Sequence, residues 1–441
     1  MKTLLILSWA IFGIMAPAMG AAPSAEDSAR HFVVSLHRQE FRKAVELFDI
    51  NMKKAVTPDA LRAIWNRQLQ AVGPFQKVTS TRSEVLGAYR AVFVTCQFGK
   101  RSLDVKVVFD QAKQIAGLFF VPTPGTGYRT PQYVNKASFR EMEVQVGHGA
   151  WALPGTLSVP NKEGPFPAVV LVHGSGPQDR DETIGPNKPF RDLAWGLSSR
   201  GIVVLRYEKR TRQYASQLAQ HAEHLTVQEE TIDDAWAAVA LLQTNKLVEA
   251  DRIFVLGHSL GGMLIPRIAK DKPRIAGFVM MAANVRPLED LILEQVRYQS
   301  SLSPVLSADA KARIEAVKKQ VTAIKKLSRT RVPAGSLLGV PQNYWLDLKD
   351  YRPLELAKAI PKPILIMQGE KDCQVSSAKD FNTWRLGLAG KKNVEFRPYP
   401  TLNHLFMEVD GKSTGAEYQQ PGNVAAGVVQ DISDWIAQQE K

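Results

Sequence analysis

The spacing of hydrophobic residues changes from helical to alternating within the first third of the chain. Residues 23–72 carry apolar side chains at helical spacing, and Thr57 followed by Pro58 is a typical helix start. Over residues 76–121 apolar and polar positions alternate, which predicts a meander of antiparallel strands. We therefore expect a small α+β module over residues 21–122.

Continuous apolar runs dominate the rest of the chain. Residues 166–172, 202–207 and 363–367 are almost entirely apolar, as expected for parallel strands covered on both faces. Helical patterns alternate with these runs. The chain is therefore predicted to form a doubly wound, mostly parallel α/β sheet over residues 138–441, joined to the first module by a Pro- and Gly-rich linker at 123–137.

One segment interrupts this alternation. Between about residues 284 and 360 we find helical patterns and no convincing strand, so we expect a helical cap inserted in the sheet domain. Residues 311–329 in this segment are rich in Lys and Arg. Such a run is typical of a solvated helix face, and the alternative is an entrance that attracts anionic ligands or membrane surfaces.

The first twenty residues predict an export signal. Lys2 is followed by an apolar stretch at 4–15, which is too short to span a bilayer comfortably, and small residues Ala18 and Gly20 precede a cleavage position before Ala21. We expect an exported protein, either periplasmic or secreted. No later segment is long and apolar enough for stable membrane insertion.

The charge balance is basic without indicating a nucleic-acid partner. The 441 residues include 56 Lys and Arg against 43 Asp and Glu, which gives a net charge of +13. These charges are spread along the chain and accompany no nucleic-acid-binding motif. We interpret them mainly as a solubilising surface and expect no nucleic-acid partner.

The clearest chemical motif is Gly257-His258-Ser259-Leu260-Gly261, which joins a predicted strand to a predicted helix. A G-x-S-x-G sequence in that context predicts a nucleophile elbow, in which glycines avoid clashes in a strained turn. Ser259 is the candidate nucleophile. The backbone N–H of Leu260 is a candidate donor to an oxyanion.

A serine nucleophile needs a base and an orienting carboxylate, and in this kind of sheet the acid precedes the histidine in the chain. Asp372 follows the predicted strand at 363–367 and is the preferred acid, with Glu370 as the alternative. His404 follows the last predicted strand and is the only one of eight histidines after Asp372. We predict that His404 is the base.

A second oxyanion donor is expected from the glycine-rich loop that follows the strand at 166–172. This loop includes Gly174, Ser175 and Gly176, and the backbone N–H of Ser175 is the candidate donor. His148, His221 and His224 have no metal-like partners at suitable spacing, so we assign no metal. The chemistry of the predicted triad requires no cofactor.

Four segments together resemble the α/β-hydrolase superfamily: 173–181 (HGSGPQDRD), 206–210 (RYEKR), 257–262 (GHSLGG) and 369–372 (GEKD). They are most similar to secreted carboxylesterases whose hydrolase domain is similar to serine aminopeptidases. The N-terminal module resembles a small uncharacterised domain often fused to this group. One departure is Thr211-Arg212, where the family usually has a glycine-rich turn after an Asp-Lys-Arg-like segment.

This resemblance and the predicted triad together indicate an exported serine hydrolase that cleaves small-molecule, short-chain acyl esters through an acyl-enzyme and needs no cofactor. A proline-releasing peptidase, a thioesterase or a wall-polymer acyl esterase could use the same triad. The basic cap disfavours an aminopeptidase, which needs acidic groups for the substrate amine. A further alternative is a binding protein with a vestigial hydrolase domain. The sequence does not determine the oligomeric state.

Overall fold

The computed structural model describes residues 24–86, 89–123, 127–220, 224–270, 274–303, 305–328 and 335–439. The predicted signal peptide, residues 1–20, lies outside these ranges. The chain divides into two compact units between Phe120 and Val121. We describe each unit by itself.

The first unit consists of four helices followed by a four-stranded antiparallel sheet in the order β1-β2-β3-β4. Its elements are α1 (Ala25–His37), α2 (Phe41–Glu46), α3 (Ile50–Ala55), α4 (Pro58–Val72), β1 (Phe75–Leu86), β2 (Tyr89–Phe98), β3 (Ser102–Phe109) and β4 (Ile115–Pro122). As predicted, α4 begins at a cap in which Thr57 Oγ1 accepts a hydrogen bond from the Ala60 N–H. The aromatic residues Phe32, Trp65 and Phe98 form part of the core between helices and sheet.

The second unit is built on an eight-stranded sheet in the order β14-β13-β10-β9-β7-β8-β6-β5. The strands are β5 (Phe139–Val146), β6 (Leu153–Pro160), β7 (Phe166–Val172), β8 (Val203–Tyr207), β9 (Val248–His258), β10 (Gly277–Met281), β11 (Ser336–Leu337), β12 (Val340–Pro341), β13 (Ile364–Gly369) and β14 (Val394–Tyr399). Six neighbouring strands, from β8 to β14, run parallel, and β6 and β5 are antiparallel. Strands β11 and β12 form a separate small ribbon.

Helices connect these strands. They are α5 (Pro189–Ser198), α6 (Arg210–Gln213), α7 (Ala215–Gln220), α8 (Asp233–Gln243), α9 (Leu260–Ala269), α10 (Leu288–Ser301), α11 (Ala308–Lys325), α12 (Gln342–Leu348), α13 (Pro353–Lys358), α14 (Asn382–Gly387) and α15 (Ala426–Gln438). None of the helices in the described part of the chain combines the length and apolar composition that a bilayer crossing requires.

Strand β7 explains why the central strands are apolar at every position. Its residues Val170 and Val172 belong to the core that the sheet forms with α8 and α9, whereas Val169 and Leu171 belong to the core formed with α5 and α15. Because both faces are covered, neither set of alternating side chains meets water. The predicted doubly wound α/β sheet is therefore confirmed.

The segment between β10 and β13 contains α10 to α13. A small core that includes Ile324, Trp345 and Leu346 holds it together. The sequence predicted no strand here, yet β11 and β12 pair around Leu338 and Gly339, which both have positive φ angles of 49° and 83°. A two-residue turn of this kind closes a short hairpin without a long apolar pattern, which is why the pattern did not indicate it.

Part of the predicted linker is bonded to the second unit. The Tyr128 hydroxyl donates to Asp192 Oδ1 at 2.7 Å, and the Tyr133 hydroxyl donates to the Val424 carbonyl oxygen at 2.8 Å. These contacts fix the chain along α5 and the start of α15 before β5 begins.

The elbow glycines predict a measurable difference in stability. A Cβ at Gly261 would lie 2.4 Å from the Val172 carbonyl oxygen, whereas a Cβ at Gly427 on α15 would meet nothing within 4 Å. We expect Gly261→Ala to lower the free energy of unfolding by roughly 2 kcal/mol or more, since backbone must shift. Gly427→Ala should leave it unchanged or raise it by up to about 1 kcal/mol. Chemical denaturation measures both, and equal stabilities for the two variants would contradict the close approach.

Candidate active site

Ser259 lies in a strained turn between β9 and α9. Its backbone angles are φ 54° and ψ −117°, which a residue with a side chain rarely adopts. The turn is closed on both sides: a Cβ at Gly257 would lie 2.4 Å from the Gly261 carbonyl carbon. The Ser259 N–H donates to the Met281 carbonyl oxygen at 2.8 Å, which fixes the turn against the end of β10. This is the geometry of a nucleophile elbow.

The loop after β7 runs beside this turn. A Cβ at Gly174 would lie 3.2 Å from the Ser259 Cβ, so the next residue, Ser175, is held close to the elbow. Ser175, Ser259 and Leu260 all line one cavity. Leu260 is the first residue of α9, where backbone N–H groups have no partner within the helix. Both predicted oxyanion donors therefore belong to segments that border Ser259.

The side chain of Asp372, in the loop that follows β13, is fully buried. Its Oδ1 accepts hydrogen bonds from the backbone N–H groups of Gln374 and Val375 at 2.7 and 2.9 Å. Its Oδ2 accepts from Gln368 Nε2 at 2.9 Å and lies 2.7 Å from His404 Nδ1. These donors hold the carboxylate in one orientation, with one oxygen directed at the imidazole.

His404 lies in a tight loop after β14 and is buried. The Asn403 side chain stabilises this loop, because its Oδ1 accepts from the N–H groups of Leu405 and Met407 at 3.0 and 3.2 Å. The loop also passes over β13, where a Cβ at Gly369 would lie 2.4 Å from the Leu402 carbonyl oxygen. This close approach brings the histidine to the acid.

The structure thus joins Asp372 to His404 directly and places both at the sheet edge that carries Ser259. The histidine loop meets the elbow through the residue before Ser259: His258 Nε2 donates to the His404 carbonyl oxygen at 2.9 Å. Glu370, the alternative acid, is exposed, and its backbone N–H bonds to Tyr399. The imidazole of His404 is paired with Asp372 and not with Glu370.

Two further histidines, His173 and His258, are buried near the elbow, and their pKa values are shifted in opposite directions. Burial lowers the pKa of His173 to about 4, so this ring is neutral, and its Nε2 donates to the Asp179 carbonyl oxygen at 3.0 Å. Burial would also lower the pKa of His258, but the negative charge of Glu182 outweighs it and holds that pKa above its usual value. The pKa of Glu182 is lowered because the charge of His258 outweighs its burial.

A buried lysine connects the oxyanion loop to the cap segment. Lys209 Nζ donates to the Gly174 carbonyl oxygen at 2.7 Å and lies 3.0 Å from Glu230 Oε1. The other oxygen of Glu230 accepts from the Tyr344 hydroxyl of α12 at 2.7 Å. The charge of Glu230 is therefore compensated inside the protein.

The charged residues Arg180 and Asp181, which follow the oxyanion loop, belong to an ion-pair network. Arg180 contacts Glu143 and Glu208 at 2.7 and 2.9 Å, on the side of β5. Asp181 is paired with Arg206 and with Lys188, the latter at 3.0 Å. None of these residues lines the cavity at Ser259. These pairs connect Arg180 to β5 and to the end of β8, and Asp181 to β8.

A cavity of about 470 Å³ opens above Ser259. The cap segment contributes apolar walls from Leu291 and Ile292 of α10 and from Tyr344 and Trp345 of α12. Among the described residues that line it, Glu230 is the only acidic one. The described residues also contain no cluster of three His, Cys, Asp or Glu that could hold a metal ion.

Sequence reasoning missed Glu182, Lys209, Glu230 and Tyr344 as parts of this site. Lys209 lies in segment 206–210, which indicates only a resemblance to the α/β-hydrolase superfamily and no role for the lysine. Glu182 directly follows the predicted glycine-rich loop and its charged residues, but its buried position and its positive φ of 52° leave no pattern in the sequence. Glu230 and Tyr344 come together only through the cap.

The sheet order, the elbow after β9 and the Asp–His pair after β13 and β14 define an α/β-hydrolase. The family model described as serine aminopeptidase, S33, matches residues 165–410, and the chain belongs to this family of hydrolase enzymes. This confirms the resemblance drawn from the sequence. In the first unit, the model of a protein of unknown function (DUF3887) matches residues 29–118.

The chain is similar to a curated esterase and to several solved structures. Esterase EstD of Thermotoga maritima is 37% identical over 406 residues, which cover 92% of this chain and 93% of that protein. Est1E from Butyrivibrio proteoclasticus is 16% identical with a TM-score of 0.43, covering 67% of this chain and 98% of that one. An esterase from Pyrococcus furiosus is also 16% identical, with a TM-score of 0.43 and coverages of 73% and 98%.

The Asp–His geometry predicts a strong asymmetry between two neighbouring acids. In Asp372→Asn the amide can hold His404 in the wrong tautomer, and in comparable triads this lowers turnover by about 10⁴-fold. Glu370→Gln, the matched change two residues away, should leave turnover within about twofold because the Glu370 side chain is exposed. Ester hydrolysis by the two purified variants measures this. Comparable losses in both would contradict the assignment of the acid.

Proposed function

We propose that this protein is an exported serine esterase that hydrolyses short-chain acyl esters through an acyl-enzyme intermediate. The observation that carries the proposal is the buried His404 Nδ1–Asp372 Oδ2 contact of 2.7 Å at the same sheet edge as the strained Ser259. The name of the Thermotoga maritima relative, an esterase, supports the ester as substrate. Residues 1–20 have the composition of a secretory signal, and the proposal includes export on that basis.

In the proposed reaction His404 Nε2 takes the Ser259 hydroxyl proton as Oγ attacks the ester carbonyl carbon. The carbonyl oxygen becomes an oxyanion and accepts hydrogen bonds from the N–H groups of Leu260 and Ser175. His404 returns the proton to the leaving alkoxide, and the acyl group stays on Ser259. Water then attacks the acyl-enzyme with His404 as base, which releases the carboxylic acid and restores the serine.

Asp372 supports both halves of this cycle. Its contact with Nδ1 keeps that nitrogen protonated, so Nε2 is the nitrogen that accepts the serine proton. When His404 becomes an imidazolium, the carboxylate stabilises the charge at 2.7 Å. Because Asp372 is held by two backbone N–H groups, it needs no rearrangement during the reaction.

The cavity supports an uncharged, apolar acyl group. Its volume of about 470 Å³ falls within the range of small-molecule sites, and leucine, isoleucine and aromatic side chains form much of its wall. A free α-amine would need an unpaired carboxylate. The acid among the described lining residues, Glu230, is already paired with Lys209 and Tyr344, and this favours an ester over an aminoacyl amide.

Replacement of the nucleophile tests the proposal. We expect Ser259→Ala to lower turnover of p-nitrophenyl acetate and butyrate by about 10⁶-fold, as in other serine hydrolases that lose this hydroxyl. A matched control is Ser433→Ala on α15, which should retain wild-type rates. Circular dichroism checks that both variants are folded. Equal rates for wild type and Ser259→Ala would remove the basis of the proposal.

The paired state of Glu230 predicts the substrate class. The value of kcat/KM for p-nitrophenyl butyrate should exceed that for alanyl and prolyl p-nitroanilides by roughly a hundred-fold or more, because the amine would be buried without a counter-charge. Steady-state kinetics with the wild-type protein measures the ratio. A preference for the aminoacyl amides would instead indicate a peptidase with the same triad.

A further inference from the structure

A second acid–imidazole pair lies beside the proposed triad and takes no part in the reaction as described. Glu182 and His258 are 1% and 5% exposed, and Oε2 of the carboxylate lies 2.9 Å from Nδ1 of the ring. The contact is a close ion pair without the alignment of a good hydrogen bond. Neither residue lines the cavity above Ser259. Burying two such groups is costly unless their charges compensate each other.

The pair joins three segments of the site. Glu182 Oε1 accepts a hydrogen bond from the Gly174 N–H at 2.7 Å, which anchors the loop that carries Ser175. His258 directly precedes Ser259. Its Nε2 donates to the His404 carbonyl oxygen at 2.9 Å. The oxyanion loop, the elbow and the base loop are therefore connected through one carboxylate and one ring.

The contacts of His258 determine its protonation. A nitrogen that faces a carbonyl oxygen must carry a proton, and Nε2 does so at His404. Nδ1 faces a carboxylate oxygen in a dry environment, and an unprotonated nitrogen at 2.9 Å from it would be repelled. Because the pKa of Glu182 is lowered, its carboxyl group supplies no proton to Nδ1, and the ring carries the charge as an imidazolium.

We propose that the charged Glu182–His258 pair is a positioning device that holds the oxyanion loop and the His404 loop in place around Ser259. This inference rests on the serine hydrolase function proposed above. Glu182 and His258 are positioning residues and not catalytic ones, because they act through Gly174 and His404. The positive φ of Glu182, 52°, indicates that the loop accepts an unfavourable backbone conformation in order to place this carboxylate.

The carboxylate also has an electrostatic role. The rings of His258 and His404 have centroids 4.7 Å apart, so an uncompensated cation at His258 would oppose the positive charge that develops on His404 during the reaction. Glu182 neutralises that cation. Because the ion pair has no net charge, the imidazolium of His404 forms without repulsion from a second cation.

The charged and titratable groups around His258 fix the direction of its pH dependence. Those that face it or its partner are Glu182, Asp372, His404 and His173, and the charge of Lys209 acts on His173. Glu182 and Asp372 favour the imidazolium, and His173 is neutral because burial lowers its pKa to about 4. Glu182 makes the larger favourable contribution to the raised pKa of His258.

The raised pKa of His258 determines the direction in which the positioning effect changes with pH. The stabilising charge on His258 is present below its folded-state pKa and is lost as the pH rises through that value. In Glu182→Gln, burial remains without the opposing carboxylate, so the pKa of His258 falls. The placement of the oxyanion loop and the His404 loop should then be lost at a lower pH than in the wild type.

The experiment compares pH profiles of wild type, Glu182→Gln and Asp181→Asn with p-nitrophenyl butyrate. Asp181 is the matched control, since it is a neighbouring buried carboxylate with arginine and lysine partners that does not contact Gly174 or His258. At pH 8 we expect Glu182→Gln to lose about 10- to 100-fold in kcat with KM within about twofold, as for small misplacements of catalytic groups. The alkaline limb of the pH profile of Glu182→Gln should lie at a lower pH than that of the wild type. Asp181→Asn should lose stability and keep the wild-type profile.

Nitrogen NMR of protein labelled with [15N]histidine gives an independent measurement on the wild type. We expect both ring nitrogens of His258 to be protonated at pH 7.5, with the signal assigned by its loss in His258→Gln. The kcat of the wild type should fall together with the titration of this ring. This readout keeps the proposal falsifiable if Glu182→Gln does not fold.

Three results would overturn the inference. They are a singly protonated His258 in the wild type, a folded Glu182→Gln with wild-type kcat and pH profile, and an equal shift of the profile in Asp181→Asn. Each can occur while Ser259→Ala abolishes hydrolysis, in which case the proposed function stands without the positioning pair. Absence of ester hydrolysis by the wild type would instead reject the function, and the NMR result would still decide the charge state of the pair.

Discussion

The site depends on backbone passing directly over backbone at the carboxyl edge of the sheet. At Gly261 and Gly369 an added Cβ would lie 2.4 Å from a backbone atom of a neighbouring segment, and at Gly257 it would lie 2.4 Å from Gly261 within the same turn. Because these positions carry no side chain, the loops after β7, β9 and β14 can meet within a few residues of the strand ends. The serine turn and the histidine loop are therefore fixed by the packing of the main chain.

The buried carboxylates at this edge are each compensated by partners in direct contact. Asp372 accepts four hydrogen bonds, Glu182 is paired with His258, and Glu230 lies between Lys209 and a tyrosine. Buried carboxylates remain compatible with a stable fold only when such partners are present. The excess positive charge of the chain is not needed to compensate these carboxylates, because each of them has its own local donors.

Much of the fold and the order of the candidate triad could be predicted from the sequence. Continuous apolar strands such as β7 indicated a sheet covered on both faces, and chain order selected Asp372 and His404. The role of Glu182 could not be predicted, since it depends on a strained backbone angle and on partners far away in the chain. The cavity walls were also beyond prediction, because cap residues such as Trp345 reach them only through tertiary packing. A two-residue hairpin turn at Leu338 left no periodic signal.

The central claim is that Ser259, His404 and two backbone donors surround one reacting carbon. A crystal structure of the protein inhibited by diethyl p-nitrophenyl phosphate tests it most directly. The account predicts phosphorus bonded to Ser259 Oγ, with the phosphoryl oxygen about 2.7–3.1 Å from the N–H groups of Leu260 and Ser175 and the His404 ring beside the ester oxygens. Phosphorus on another residue, or a phosphoryl oxygen directed into solvent, would contradict it.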